Sequence, residues 1–382
     1  MRYNFDKVID RSGTSAEKVE GLKHIWGRTD LIPLWVADMD FATAPFVTDA
    51  IRKRCENEVL GYTGKPDSYY NAIINWVKQR YDLVVAKEMI NFVPGIVPGI
   101  GMAMNCFTQK GDKVMIQPPV YHPFAWVTTR NERTLVTNPL KWENGMYRMD
   151  LDTFREQIKG CKLFILCNPH NPGGVVWTEA ELRAIADICY DEKVLVFSDE
   201  IHADLTLPPH THRPFATVSE KARMNSVTFM SPSKAFNMPG LSASHALIFN
   251  EDLRKRFRIY MDAGELDMGH VFAFLSVEAA YSHGTEWLDQ CLAYIQGNID
   301  FVDDFLKNHA PKIKAIRPEA SYLVWLDCRE LKLSQKDLNE FFVDKAHLAL
   351  NDGEMFGKEG IGFMRLNVAS PRCIIAKAMK QL

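Results

Sequence analysis

The sequence predicts an α/β protein, with a mostly parallel central sheet in a large domain and a smaller α+β domain attached. Short continuous apolar runs at 114–116, 163–167, 194–197 and 227–230 alternate with stretches of helical periodicity. Strands that are apolar on both faces belong to parallel sheets covered by helices on each side. The length of 382 residues exceeds what one ordinary domain needs. A long amphipathic stretch, from 285 to about 307, divides the alternating part from a C-terminal part of different pattern. The expected division is an N-terminal arm that shares in the small domain (1–48), a large domain (49–284) and a small α+β domain (285–382).

Taken in order, residues 1–48 show no periodicity and end in Trp35-Val36-Ala37-Asp38-Met39-Asp40-Phe41, which suits a pocket rim or an arm over another subunit. Apolar spacing predicts helices over 45–59 and 69–81, with Gly61-Tyr62-Thr63-Gly64 between them as a flexible turn presenting one tyrosine. The run 92–101 is a glycine-rich helix start whose backbone amides, at Gly95, Ile96 and Val97, can turn toward an anion. The same pattern also makes a plain tight turn. The strand at 114–116 runs into an aromatic cluster that includes Tyr121. Thr178 and Glu181 form a capping box for a helix reaching about 191. A strand at 246–249 and helices near 251–261 and 271–282 follow. The C-terminal part holds strands near 322–326 and 362–368 and helices near 335–345 and 371–380.

A formal charge of -3 gives no electrostatic case for nucleic acid or a membrane surface, so the expected partner is a small molecule. The eight cysteines form no C-x-x-C pair, and several sit in apolar runs. They are expected to be reduced core residues of a cytoplasmic protein. The first residues carry no apolar signal region, and no run is long and apolar enough to span a bilayer. His210 and His212 lie among prolines without acidic or cysteine partners, so no metal site is expected. Tyr322 and Trp325 are assigned to the core, and Arg372 to the surface at a helix start.

Ligands of parallel sheets sit beyond the carboxyl ends of the strands. Asn171, Asp199 and Lys234 each follow such an end and are expected to meet in one crevice. A lysine at the end of a buried strand loses hydration and becomes a better nucleophile. In Ser231-Pro232-Ser233-Lys234 the two hydroxyls could hold an anionic group captured by the amine. Two other readings stay open on these residues alone, a solvent-reaching loop lysine and a serine nucleophile at Ser231 aided by Lys234. The second lacks its companion S-D-N and K-T-G motifs. Asp199 could keep a heteroaromatic nitrogen protonated, Asn171 could donate to a ring oxygen, and Tyr121 could stack on the ring face. Together these residues describe a pyridoxal 5'-phosphate site.

Asn168-Pro-His-Asn171-Pro-Gly-Gly, Ser198-Asp199-Glu200, Ser231-Pro-Ser-Lys234-Ala-Phe and Arg365-Leu-Asn-Val-Ala resemble the ordered signatures of fold type I pyridoxal phosphate enzymes of the aspartate aminotransferase superfamily. Trp35 to Phe41, Gly61-Tyr62 and Asp199-Glu200-Ile201-His202 are similar to the MalY/PatB group of cystathionine β-lyases, or carbon-sulfur lyases. The resemblance implies an imine on Lys234, Asp199 on the pyridine nitrogen, and Asn171 with His202 on the ring oxygen. It implies Tyr121 on the ring face and the amides at Gly95, Ile96 and Val97 with Ser231 and Ser233 on the phosphate. Arg365 would clamp the substrate carboxylate, with Asn171 and Ala37 beside it. Tyr62 would reach the phosphate of a second subunit, making a homodimer. Many aminotransferases carry arginine eight residues past the lysine, where this chain has Ser242. The implied reaction is β-elimination from L-cystathionine or a related cysteine S-conjugate, with transamination and a regulatory role through protein contact as alternatives.

Overall fold

The computed structural model describes residues 2–382. Seven strands form the central sheet: β1 (Ile90–Val93), β2 (Lys113–Ile116), β3 (Thr134–Thr137), β4 (Cys161–Cys167), β5 (Leu195–Asp199), β6 (Ser226–Met230) and β7 (Ser244–Leu247). Their spatial order is β1-β7-β6-β5-β4-β2-β3. Every pair from β6 to β3 is parallel, whereas β7 runs antiparallel to both β6 and β1. The expected mostly parallel sheet is present.

Successive side chains of a strand point to opposite faces, and the core divides accordingly. Leu163, Ile165, Phe197 and Phe229 pack on one face against Ile100, Ala103 and Met104 of the helix Ile96–Phe107 and Phe257 of Glu251–Asp262. Phe164, Leu166 and Val196 pack on the other against Leu182 and Ile185 of Glu179–Asp191. That helix opens with the expected capping box, in which Thr178 and Glu181 satisfy each other's backbone N–H groups.

A second sheet, antiparallel throughout, has β8 (Lys314–Ile316), β9 (Leu323–Asp327), β10 (Asn351–Asp352) and β11 (Phe363–Asn367) in the order β8-β9-β11-β10. The helix Thr285–His309 buries Leu288, Ile295, Ile299 and Val302 in the same apolar cluster as Leu323, Leu326 and Leu366. Tyr322 and Trp325 are fully buried, as expected.

Several local expectations are corrected. The stretch 1–48 contains a helix, Glu17–Trp26, and Ile32–Pro33 pairs in parallel with Leu348–Ala349. No side chain caps that helix, and its inward face is sparse, Lys18, Gly21 and Leu22, so neither local signal marked it. The helix expected over 45–59 ends at Cys55. The hairpin Lys141–Glu143 with Met146–Arg148 turns at Asn144-Gly145, and β3 is a half-exposed edge strand. Arg372 starts the helix Arg372–Lys380 but is tied inward, its Nε donating to Asn298 Oδ1 at 2.6 Å.

All eight cysteines are free; five are buried, and Cys55 and Cys373 are exposed. Among the described residues no helix is long and apolar enough to cross a membrane, and no group of metal-ligating side chains gathers.

Candidate active site

Register brings the site together. Cys167 pairs with Asp199 and Asp199 with Phe229, so β4, β5 and β6 end level with one another. The chain leaving each end carries Asn171, His202 and Lys234 to a cavity of about 210 Å³, with Asp199 on the last residue of β5 and Tyr121 arriving from beyond β2. Gly95, Ile96, Val97, Ser233 and Ala37 complete the set of expected residues on its wall. Three expected residues stand apart from it. Ser231 lies behind the wall, its Oγ 2.9 Å from Ser233 Oγ and donating to Ala243 O at 2.7 Å. Arg365 lies behind Asn171, to whose Oδ1 it donates at 3.1 Å. Tyr62 is 99% exposed, in a separate shallow pocket beside Leu60 and Met268.

The nitrogen of Lys234 donates to Ala37 O at 2.5 Å and is not bonded to Ser231. A serine nucleophile served by this lysine therefore has no geometry here. Lost hydration brings the Lys234 amine down to about 8, against the pull of Asp38 and with Arg365 adding to the drop. A neutral amine is thus within reach near neutral pH. Burial pushes the Asp199 carboxyl up to about 7, opposed by the Ile201 N–H that donates to its Oδ1 at 3.1 Å. Burial, with the charges of Lys234 and Arg365, holds His202 down to about 3, so its ring is neutral. Burial raises the Tyr121 hydroxyl to about 12, helped by Asp199.

Arg365, only 4% exposed, leaves the middle of β11. It donates to Trp35 O at 3.2 Å and Asn351 Oδ1 at 2.5 Å, and lies over the Phe356 ring at 4.8 Å. Burial lowers it only to about 10, so it stays cationic.

The arrangement suits an aromatic ring with an anionic tail. Among the unpartnered buried polar atoms of the described residues, His202 Nδ1 and Arg365 Nε belong to this site, and such atoms are costly unless something bonds them. The helix Ile96–Phe107 starts at Gly95, φ 154°, with no side chain capping its first turn. Its first residues line the cavity together with the hydroxyl-bearing Ser233, Ser242 and Ser244, and the free amides of a helix start with such hydroxyls are a donor set for a phosphate. A carboxylate, a neutral imidazole and a tyrosine ring line the remaining wall. Pyridoxal phosphate fits these groups.

Sequence reasoning missed Cys167, Ile201, Pro239, Ala243 and Ser244 on the wall. Ser244 was hidden because β7 runs antiparallel, so its amino end meets the carboxyl ends of its neighbours. Ser242, noted only as the place of an absent arginine, lines the cavity in a left-handed conformation, φ 47°.

The model of the family described as aminotransferase class I and II matches residues 29–377. The chain belongs to that family. Within it, the chain is 38% identical to cystathionine beta-lyase PatB of Bacillus subtilis, over 99% of this chain and 98% of that one. It is 30% identical to the protein MalY of Escherichia coli, over 100% and 98%. Among solved structures it superposes on cystalysin from Treponema denticola, a structure containing pyridoxal 5'-phosphate, with TM-score 0.96, 34% identity and coverage of 100% and 98%.

Proposed function

We propose that this protein is a pyridoxal 5'-phosphate-dependent carbon-sulfur β-lyase that eliminates a thiol from L-cystathionine or a related cysteine S-conjugate, the remaining aminoacrylate taking up one water to give pyruvate and ammonia. The observation that carries this reading is the meeting of Lys234 and Asp199 in one cavity, in a chain of this family whose relative PatB is named a cystathionine beta-lyase. Asp199 would hold the ring nitrogen, Asn171 and the unpartnered His202 Nδ1 would address the ring oxygen, and Tyr121 would cover one face. The amides of Gly95, Ile96 and Val97 with Ser233 would hold the phosphate, and Ser231 would orient Ser233. When bound, the cofactor supplies an electron sink for the substrate α-carbon.

The chain's own residues do the rest. Arg365, already cationic and held in place by Asn171, Asn351 and Trp35 O, presents a fork for the substrate α-carboxylate beside Ala37. The Lys234 amine, brought down to about 8, takes the α-proton. Tyr62, fully exposed beside the partly exposed Val59 and Leu60, would reach the phosphate of a second subunit, so the working unit would be a homodimer.

The name of the matching family model favours transamination as the second reading. The two reactions share proton removal and diverge at the next bond. Purified protein given L-cystathionine without any keto acid is expected to release pyruvate and thiol continuously. Turnover only after 2-oxoglutarate is added would replace the lyase reading with the aminotransferase one.

A further inference from the structure

We propose that the Ala37 carbonyl is a built holding point for the free amine of Lys234, and that Tyr322 is the positioning residue that fixes it. The inference rests on Lys234 being the base of the reaction described above. Nearly every carbonyl around Ala37 is claimed by a side chain from elsewhere in the fold. Arg365 donates to Trp35 O, Asn367 Nδ2 to Val36 O at 2.6 Å and Asp38 O at 2.7 Å, and Asn237 Nδ2 to Met39 O at 3.0 Å and Phe41 O at 2.7 Å. Asn237 Oδ1 also accepts from Met39 N. The stretch is a rigid rack, and one carbonyl in it receives the site lysine. Ala37 O accepts from Lys234 Nζ at 2.5 Å and from Tyr322 Oη at 2.9 Å.

Tyr322 is wholly buried and does not line the cavity; its hydroxyl meets the site through Ala37 O, and its ring meets the His202 ring edge-on at 6.5 Å, a contact that Tyr322→Phe keeps. Its own placement is over-determined. Ser321 before it sits at φ 81°, a conformation that strains a residue other than glycine. The Ser321 N–H donates to Leu205 O, and Tyr322 O accepts from Val368 N, both at 2.9 Å. Strain of this kind is retained where surrounding contacts demand it, and here it aims a hydroxyl at the acceptor of the site lysine. With one N–H on Ala37 O, the amine's swing is restricted. Once the amine has taken a proton from the substrate carbon, the same oxygen holds the resulting ammonium close to the cavity.

The test compares loaded wild-type and Tyr322→Phe proteins on L-alanine, which has no β leaving group, following exchange of its α-proton in deuterium oxide by NMR across pH. The variant is expected to retain the visible cofactor band and the KM for L-alanine. Its exchange rate should fall about tenfold, with the pH midpoint moved to lower pH because the ammonium has lost its fixed acceptor. In protein stripped of cofactor, regain of the visible band on adding pyridoxal phosphate should be slower in the variant. This second readout stands even if the variant is less stable. Wild-type exchange, midpoint and recapture in Tyr322→Phe would overturn the proposal. Wild-type protein with no band and no exchange would instead overturn the reading of Lys234 on which it rests.

Discussion

Two lysines flank the same stretch of chain, and the difference between them separates a strut from a reactive group. Lys18, with no exposed surface, lies 2.9 Å from Asp40 Oδ2 and 3.5 Å from Asp38 Oδ1, and also donates to Asp38 O. Arg11 completes the cluster with Asp38 at 2.6 Å and Asp40 at 3.2 Å. Every charge there has a partner of opposite sign, so the lysine is locked. Lys234, on the other side, meets one neutral carbonyl and an open cavity. A buried amine without a carboxylate against it is shifted toward its neutral, nucleophilic form, and the amine comes down to about 8 accordingly. Both amines are removed from water, and the one that no carboxylate holds is the one that faces the cavity.

The sharpest way to break this comparison is to remove each amine. Lys234→Ala should lower pyruvate release from L-cystathionine by about 10⁴-fold while leaving the urea midpoint of the cofactor-free protein close to that of cofactor-free wild type. Lys18→Met should do the reverse. Stranding Asp38 and Asp40 beside Arg11 alone should cost about 3 kcal/mol, the lower end for a broken buried pair, measured by urea denaturation, with activity per folded molecule within a few-fold. Comparable loss of activity in both variants would erase the distinction.

Arg365→Lys sharpens it from the substrate side, since a lysine keeps the charge but loses the two-pronged fork. KM for L-cystathionine should rise by roughly 30-fold, about 2 kcal/mol, with kcat less affected. The smallest effect concerns Asp199 in cofactor-free protein. Its carboxyl is raised to about 7 by burial, so the stability linked to it is full below its unfolded value and is lost as pH rises through about 7. Asp199→Asn has no charge to bury. Its melting temperature should exceed that of cofactor-free wild type by a few degrees above pH 7, the gap closing under acid conditions.

Much of the site was legible because parallel strands place their carboxyl ends together. Once 163–167, 194–197 and 227–230 are recognised as buried strands, Asn171, Asp199 and Lys234 have one place to meet. Local signals ran out where partners are distant. Lys18 sits in a helix with no side-chain cap, and its carboxylates lie 20 and 22 residues on. Ser244 reaches the cavity through strand direction, which apolarity does not encode. Ser231 was grouped with Ser233 by adjacency, yet a turn puts one hydroxyl behind the wall and the other on it. Tyr322 looked like core and is core; its hydroxyl, aimed at Ala37 O, is invisible to any hydrophobicity pattern.

The absorption spectrum of purified protein tests the central claim most directly, that the Lys234 amine and the Asp199 carboxylate grip one ring. Wild-type protein should show a visible band from cofactor joined to lysine, Lys234→Ala should lose it, and Asp199→Asn should bind the cofactor more weakly. An unchanged visible band in Lys234→Ala would contradict the account.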